Sequence, residues 1–374
     1  MRFTVSSSEL LRHLTAVSKV IPAKPAINIL ENFLFVLKGN ELEITGSDNE
    51  TTLKTTMTIE DVREEGEIVV PAKILTDSLK MFPDIPLEFK TINNDNTLKV
   101  NWASGESQFQ IFTSDDYPVL KRPDEGAVSA VIPSAALLAG INATLYATAE
   151  EELRPVMNGI FVDMSPEEVS FVASDSHKLV CYTRGDVKSN ETASFILHKK
   201  PAAILKALLT NDEESVKMTY DNKNAFFEFN GTLMICRLID GRYPAYKSVI
   251  PKNNQSKMLI DRNTLLNSVK RVSVCSNQAT NHIKFGITPS SLTISAQDVG
   301  FNISSHETIP CSYDGEPMEI GFKANFITEI LASLPFEQVS MELADPGRAA
   351  LIVNAGVPDP DETITSLIMP VRVQ

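Results

Sequence analysis

Two kinds of hydrophobic pattern alternate along the chain. Segments such as NFLFVLKGNELEITG, NTLKVNWASGESQFQIF and KNAFFEFNGTLMICRL alternate apolar and polar residues with a period of two, which predicts half-buried antiparallel strands. The KGN in the first segment and the NG in the third are hairpin turn signals. Other segments space their apolar residues three or four apart and predict amphipathic helices. The stripes of the first and fifth predicted helices are Leu10, Leu14, Val17 and Ile21, and Leu265, Val269 and Val272.

Several predicted helices carry basic residues away from the apolar stripe. In the first helix His13 and Thr15 also lie off the stripe, so we expect both to be polar-side residues. The basic residues on the polar sides of the predicted helices are Arg12, Lys19, Lys73, Lys80, Lys199, Lys200, Lys206, Arg262, Lys270 and Arg271. An ordinary solvated face explains any single helix, whereas a segregated basic surface would explain them together, and composition leaves both open.

Several markers recur in the same order at intervals of about 125 residues, which is longer than any solenoid repeat. An acidic turn followed by Tyr-Pro recurs at Tyr117 and Tyr243, and we interpret it as the end of a domain and its linker. The other recurring positions are Leu10, Leu137 and Leu265; Asp48, Asp175 and Asp298; and Pro71, His198 and Phe322. The repeat predicts three domains of one fold, at 1–125, 126–253 and 254–374. Each is expected to be an antiparallel α+β domain with about seven or eight strands and two helices.

Composition restricts the partners and the compartment. The 374 residues carry a formal net charge of −14, which argues against tight phosphate binding unless the basic residues are segregated on one surface. Four widely spaced cysteines suit a reducing cytoplasm better than a disulfide framework or a zinc site. No apolar run is long enough for a membrane helix, and the first residues do not resemble a signal peptide. The cysteines are Cys181, Cys236, Cys275 and Cys311.

An enzyme is one alternative, because SDSH at Ser174–His177 places Ser, Asp and His together. A serine hydrolase would need a strained nucleophile turn such as G-x-S-x-G and a histidine from elsewhere in the fold. Neither pattern is visible, and no Cys or His pair has metal-ligand spacing. A β-rich scaffold that binds only proteins is the second alternative, and retention on circular DNA would distinguish it from a protein that encircles DNA.

The chain resembles the bacterial DNA polymerase III β subunit, the sliding clamp, over its whole length. The segments that carry the resemblance are MRFTV, KPAINILENFLF, TGSDNETTL, VPAKIL, ASDSHKL, DGRYPAYKSVIPKN, MEIGF and LIMPVRV. The resemblance implies a non-catalytic processivity factor without cofactor or metal: a head-to-tail homodimeric ring around double-stranded DNA, contacted independently of sequence. The implied partners are the clamp loader complex, the replicative DNA polymerase and other clamp-binding-motif proteins, in the cytoplasm and without a membrane.

The resemblance also implies a pocket for short peptide motifs between the second and third domains. Matched by motif, its residues are Met157, Ser174, Ser176, His177, Lys178, Leu179, Pro244, Ser248, Val249, Leu367, Ile368, Met369, Pro370, Val371 and Arg372. The family often has Gly in place of Ser176 and Arg in place of Lys178 and Ser248, so ligand preference is expected to differ at the rim. Gln374 lies beyond the family's usual end.

DNA-contacting and dimer-forming residues complete the expected sites. Lys24 and Lys73 match family contacts to DNA, and the other candidates come from the helix pattern. The DNA-binding candidates are Lys24, Lys73, Arg12, Lys199, Lys200, Lys206, Lys270 and Arg271. The resemblance places the dimer interface between a strand edge in the first domain and the end of the fifth helix with its adjoining strand. The interface candidates are Phe109 and Ile111, and Val274 and Cys275.

Overall fold

The computed structural model describes residues 1–25, 27–92, 96–151, 153–189, 191–211, 215–357 and 359–372, so Gln374 lies outside the described residues. In these ranges the chain forms helices and antiparallel strands in the predicted alternation, with four short 3-10 turns. No helix in this part of the chain is long and apolar enough to cross a membrane. Contacts divide the chain into two units, residues 1–134 with 207–238 and residues 135–206 with 239–374.

The elements follow the threefold repeat. The first set is β1 (Arg2–Ser6), α1 (Ser7–Val17), β2 (Asn32–Lys38), β3 (Glu41–Ser47), β4 (Thr51–Thr58), β5 (Asp61–Glu64), β6 (Gly66–Pro71), α2 (Ala72–Leu79), β7 (Pro86–Ile92), β8 (Thr97–Trp102) and β9 (Gly105–Gln110). The second is β10 (Val128–Pro133), α3 (Ser134–Thr144), β11 (Gly159–Met164), β12 (Val169–Ser174), β13 (Lys178–Arg184), β14 (Ala193–His198), α4 (Lys199–Leu208), β15 (Ser215–Tyr220), β16 (Asn224–Phe229) and β17 (Thr232–Arg237). The third is β18 (Ser256–Asp261), α5 (Arg262–Ser273), β19 (His282–Ile287), β20 (Ser291–Asp298), β21 (Ile303–Pro310), β22 (Ser312–Tyr313), β23 (Met318–Lys323), α6 (Ala324–Ser333), β24 (Gln338–Leu343), β25 (Ala350–Asn354) and β26 (Glu362–Ile368).

The described part of each set contains two helices, as expected, but eight or nine strands rather than seven or eight. The additional strands are short. β5 has four residues and β22 has two. Neither is long enough to show a recognisable alternation of apolar and polar residues.

The first unit contains two antiparallel sheets. Their orders are β5–β1–β7–β8–β9 and β10–β15–β16–β17–β4–β3–β2–β6. The predicted hairpin turns are confirmed, because Gly39 between β2 and β3 has φ +56°, and Asn230 and Gly231 between β16 and β17 have φ +45° and +65°. Two successive positive φ angles match the twist of the flanking strands in a two-residue turn. β17 pairs with β4, so strands from two repeats form one continuous sheet.

The second unit also contains two sheets. Their orders are β14–β11–β12–β13–β26–β25–β24–β18–β22 and β21–β20–β19–β23. The longer sheet joins the second and third repeats through β13 and β26, with Leu179 opposite Leu367 and Lys178 opposite Ile368. Adjacent strand residues point to opposite faces, so this register determines which side chains lie on each face of the junction.

The first helix confirms the predicted stripe in part. Ser6 caps α1 by accepting a hydrogen bond from the Glu9 amide, and Leu10, Leu14 and Val17 are fully buried. Ile21 lies beyond the end of α1. A polar side chain at the N-cap satisfies one of the free amides of the first turn.

The expectation that His13 is a polar-side residue was wrong. Its side chain is buried, with 8% of its surface exposed. Nδ1 lies 2.7 Å from Thr55 Oγ1 on β4, and Arg12 Nη2 lies 3.0 Å from Nε2. A guanidinium only donates, so Nε2 accepts, and the ring proton is on Nδ1 and is donated to Thr55. Burial and the Arg12 charge lower the pKa of His13 from 6.5 to about 4, so the ring is neutral.

The three recurring aspartates occupy the same structural position. Each lies at the end of a strand and accepts hydrogen bonds from backbone amides two and three residues later. Asp48 accepts from Glu50 and Thr51, and Asp175 accepts from His177 and Lys178. Asp298 accepts from the amides of Gly300 and Phe301. These residues therefore repeat because the fold uses one kind of side-chain-capped turn three times.

The Tyr-Pro repeat also has a structural role. Tyr117 is buried, and its hydroxyl donates to the carbonyls of Asn32 and Thr45 on β2 and β3, at 3.1 Å each. Tyr243 is buried in the second unit, where its ring stacks on Phe161 with centroids 4.8 Å apart. Each tyrosine fixes the end of its repeat onto the sheet, which agrees with the interpretation of Tyr-Pro as a domain-end turn.

Candidate functional site

The junction of β13 and β26 has an apolar floor. Leu179 and Leu367 are directly opposite one another on these strands, and both are at most 5% exposed. They belong to one cluster of buried side chains, which is Val172, Leu179, Ile196, Tyr243, Tyr246, Leu351 and Leu367. The Tyr246 hydroxyl donates to Asp163 Oδ2 at 3.0 Å, which fixes that ring. We call this cluster the floor.

Partly exposed apolar residues lie next to the floor. Val249 is 58% exposed and Met369 is 41% exposed, while Val156 and Ile250 pack against the cluster. An apolar floor with exposed apolar side chains beside it suits a small hydrophobic anchor, and Met can adapt to different anchors. Of the expected pocket residues, Pro244 and Ser248 are also exposed, but the Ser248 hydroxyl donates to the Ala245 carbonyl at 2.6 Å.

The turn after β12 forms one side of this region. Ser176 has φ +76°, a left-handed conformation that glycine adopts without strain. The serine hydroxyl makes contacts that glycine could not: it accepts from Arg154 Nη1 at 2.7 Å and lies 3.3 Å from Met157 Sδ. Ser176 therefore joins Arg154 and Met157 to the turn. Arg154 was not among the expected pocket residues, and only its nearness in sequence to Met157 could have indicated it.

The C-terminal residues continue from β26 along the same region. The Met369 amide donates to the His177 carbonyl at 2.8 Å, and the Val371 amide donates to the Gly321 carbonyl at 2.9 Å. The tail is thereby hydrogen-bonded to the turn after β12 and to β23. Pro370 and Val371 are partly buried, and Arg372 is exposed.

Among the expected pocket residues, one stabilises the turn and two do not face the floor. Ser174 is buried, and its hydroxyl donates to the Lys178 carbonyl at 2.9 Å, so it stabilises the turn. Lys178 and Ile368 are each adjacent in sequence to a floor residue, so their side chains point to the opposite face of the sheet. Both are buried there, at 5% and 0% exposure. The resemblance implied that consecutive residues all belong to the pocket, whereas consecutive residues of a strand point alternately to the two faces of the sheet.

The same junction exists in the first unit without an apolar floor. The Arg237 amide donates to the Glu50 carbonyl at 2.8 Å, as the Met369 amide does to His177. Here, however, the side chain in the position of Met369 is an arginine, paired with Glu50 at 3.3 Å. The position of Leu179 is taken by Thr52. The repeat therefore supplies an internal comparison, in which one junction is apolar and the other is charged.

The basic candidates differ in their surroundings. Arg12, Lys24, Lys73, Lys200, Lys206, Lys270 and Arg271 are exposed, and Lys199 is partly buried. Lys199 Nζ lies 2.9 Å from Glu150, and Arg271 binds both carboxylate oxygens of Glu307 on β21. These two charges are largely neutralised by their partners, so they are weaker candidates for phosphate contacts than Lys24 or Lys73.

The first unit has a strand edge at the position expected for assembly. β9 is an edge strand of the five-stranded sheet. Phe109 is half-buried on it, but Ile111 lies beyond its end and is 7% exposed. Ile111 therefore belongs to the first unit's own core, and the exposed apolar residue at this position is Phe112, at 43%.

The second unit has a free strand edge near the end of α5, close to the position expected for assembly. Val274 is 79% exposed at the end of α5, and Cys275 is partly buried. The strand that follows α5 in sequence, β19, is paired on both sides. The free edge of its sheet is β21, beside the exposed side chains of Val299 and Phe301. β21 packs against α5, so it is the strand that adjoins this helix in the fold.

The geometry gives no support to a serine hydrolase. The Ser174 hydroxyl donates to a backbone carbonyl, while the His177 ring stacks near Phe326 with centroids 6.0 Å apart. A nucleophile would need its hydroxyl to donate to a base such as histidine. Among the described residues, no group of three or more His, Cys, Asp or Glu side chains could hold a metal ion.

Comparisons with known proteins agree with this geometry. Family models of the DNA polymerase III beta subunit match with their N-terminal domain at residues 1–121, central domain at 131–245 and C-terminal domain at 247–372. The "Beta sliding clamp" of Pseudomonas putida is 27% identical over 377 residues, and that of Haemophilus influenzae is 28% identical over 375, each covering 100% of both chains. A Pseudomonas aeruginosa sliding clamp bound to griselimycin is 26% identical, with a TM-score of 0.94 and 100% coverage of both chains.

The three-domain α+β fold and these matches define a sliding clamp of DNA replication. The chain belongs to the family of the DNA polymerase III β subunit. This family consists of processivity factors without catalysis of their own, so the Ser-Asp-Ser-His segment is part of a structural turn.

Proposed function

We propose that the chain forms a homodimeric ring around duplex DNA in the cytoplasm and recruits its partners through the floor between β13 and β26. The partners are the clamp loader, the replicative polymerase and other proteins that carry a short clamp-binding motif. The domains are 1–125, 126–253 and 254–374. The apolar floor with Val249 and Met369 exposed beside it is the observation that supports this proposal best.

A peptide would place an apolar or aromatic anchor on the floor. Burial of a Leu- or Phe-sized side chain contributes about 1.5–3 kcal/mol, which alone gives weak binding. Two pockets on one dimer and tethering by DNA would raise the effective concentration of a partner. A relative has been solved with griselimycin bound, so this compound is a useful second probe.

Met369 and Arg237 provide a matched test of the pocket. We expect Met369→Ala to weaken binding of a fluorescein-labelled octapeptide ending in Leu-Phe by about fivefold, because part of the apolar contact is lost. Arg237→Ala changes the equivalent position at the charged junction and breaks only an exposed ion pair, so binding should remain at the wild-type level. Equal affinities for wild type and Met369→Ala would contradict the pocket.

DNA contacts are proposed for the exposed basic residues, with Lys24 and Lys73 first. Removal of either charge should weaken binding equally on all sequences and lower the log–log salt slope by about one. Lys199→Met is the control, because its charge is already paired with Glu150.

Retention on circular DNA and loss after linearisation would support a ring, whereas equal loss from both would favour a scaffold that binds only proteins.

Dimer formation is proposed between the β9 edge of one protomer and the β21 edge of its partner. Edge strands present free backbone groups that can pair with another chain. Phe109 on β9, and Val274 and Phe301 near β21, would add apolar contacts to that pairing. The head-to-tail arrangement uses two different surfaces on each protomer and closes as a ring.

A further inference from the structure

The ammonium group of Lys178, beneath the turn after β12, also contacts helix α6. Lys178 Nζ lies 2.8 Å from Asp175 Oδ2 and 3.0 Å from Glu329 Oε2 on α6. It also lies 4.3 Å from the centre of the Phe326 ring. The lysine side chain is 5% exposed, so its ammonium is enclosed by two carboxylates and an aromatic face.

Strand geometry places this ammonium away from the pocket. Leu179 faces the floor, so the side chain of Lys178 points to the other face of the sheet. Its contacts with Glu329 and Phe326 place it on the side of α6, which also contacts β26. A peptide on the floor would therefore be separated from the ammonium by the backbone of β13.

The same residues fix the turn that borders the pocket. Asp175 uses Oδ1 to accept from the amides of His177 and Lys178, and Oδ2 to bind the ammonium. The ammonium then connects Asp175 to Glu329. The His177 ring also lies near Phe326, with centroids 6.0 Å apart. A turn that carries Ser176 and His177 is thus attached to α6 by an ion pair and a ring contact.

We infer that Lys178 and Glu329 are positioning residues for the peptide pocket: their ion pair, in which the lysine is buried and the Glu329 side chain is 40% exposed, attaches the turn of residues 175–178 to α6, and Lys178 does not contact the peptide. This inference rests on the proposed pocket. It differs from the expectation that Lys178 acts as a rim cation. It also assigns a role to Glu329, which lies outside the expected pocket.

Glu329→Gln distinguishes the two roles by the sign of its effect. If Lys178 positions the turn, loss of the Glu329 carboxylate loosens the turn and weakens peptide binding. We expect a loss of about fivefold, within the range of coupling between two side chains that contact one another. If Lys178 binds the peptide, loss of Glu329 frees the ammonium and strengthens binding of an acidic peptide. The probes are two amidated octapeptides ending in Leu-Phe, one without acidic residues and one with a single Asp.

Lys178 variants complete a double-mutant cycle. Lys178→Met should weaken both peptides by the same factor, and Lys178→Arg should restore most of the affinity because a guanidinium can bind both carboxylates. The double variant Lys178→Met/Glu329→Gln should bind no more weakly than the poorer single variant, because both changes remove one ion pair. Amide exchange at His177 and Met369 should increase in each variant that weakens binding.

Controls separate failure of this inference from failure of the pocket. Glu342→Gln removes a carboxylate paired with Lys257 at 3.2 Å elsewhere in the unit, and it should leave peptide affinity unchanged. If wild type binds neither peptide, the proposed pocket fails. If wild type binds and Met369→Ala weakens binding while Glu329→Gln does not, the pocket stands and the positioning role is refuted. A Lys178→Met loss confined to the acidic peptide would also refute it.

Discussion

His13 should make the stability of the clamp depend on pH in a way that one substitution removes. Its pKa is about 4 in the folded chain, because of burial and the Arg12 charge, against an ordinary value of 6.5. Between these values the unfolded chain binds more protons than the folded chain. Stability therefore falls as the pH is lowered through 6.5 and is lost progressively down to about 4.

The size of the effect follows from the two pKa values. The difference between the two pKa values corresponds to a loss of about 3 kcal/mol of unfolding free energy once the pH is below both. At pH 5 the loss is about 2 kcal/mol. His13 adjoins the exposed Arg12, so solvent screening reduces the value, and we expect about 1–2 kcal/mol at pH 5.

Thermal unfolding of wild type and His13→Gln at pH 7.5 and pH 5 measures this effect. Wild type should lose about 2–6 °C more than the variant on acidification, for a contribution of this size. If His13→Gln and wild type show the same dependence on pH, the neutral buried histidine is the wrong explanation.

Other outcomes follow from the fold and the proposed interface. Tyr117→Phe leaves two carbonyls without their shared donor and should destabilise the first unit by about 1–3 kcal/mol, measured by urea unfolding; no change would mean that water replaces the hydroxyl. Gly231→Ala imposes a positive φ on alanine and should cost about 1 kcal/mol, whereas Gly286→Ala, without a positive φ, should be tolerated. Phe109→Asp with Val274→Asp should give monomers by sedimentation, and a stable dimer would exclude this placement of the interface.

Much of the fold could be predicted because local patterns determine it. The period-two segments, the turn at Gly231 and the stripe of Leu10 and Leu14 depend on neighbours in sequence, and the structure confirms them. The union of β4 with β17, and of β13 with β26, was not predicted. Edge strands from different repeats choose partners by tertiary contact, and alternation within a strand carries no information on that choice.

The errors at individual residues have the same origin. His13 reads as polar on a helix wheel, yet the hydrogen bond that it donates to Thr55 on β4 allows it to be buried. Lys178 reads as a surface cation, yet Asp175 and Glu329 satisfy it below the sheet. Polar residues can be buried when partners from other elements satisfy them, and two of these partners, Thr55 and Glu329, are distant in sequence from the residues they satisfy. Ile111 reads as an edge residue but lies one position beyond the strand.

The three aspartate turns show why the proposed pocket belongs to one of them. All three have the same capping geometry, so the turn alone does not create a binding site. After Asp175, the next strand places Leu179 opposite Leu367. After Asp48, the equivalent strand places Thr52 opposite Ile235, and Glu50 pairs with Arg237. After Asp298 the chain enters β21, a free edge. The fold therefore repeats one turn three times, and the strand beside each turn determines the character of that region. The region is apolar after Asp175, charged after Asp48, and a free edge available to a second protomer after Asp298.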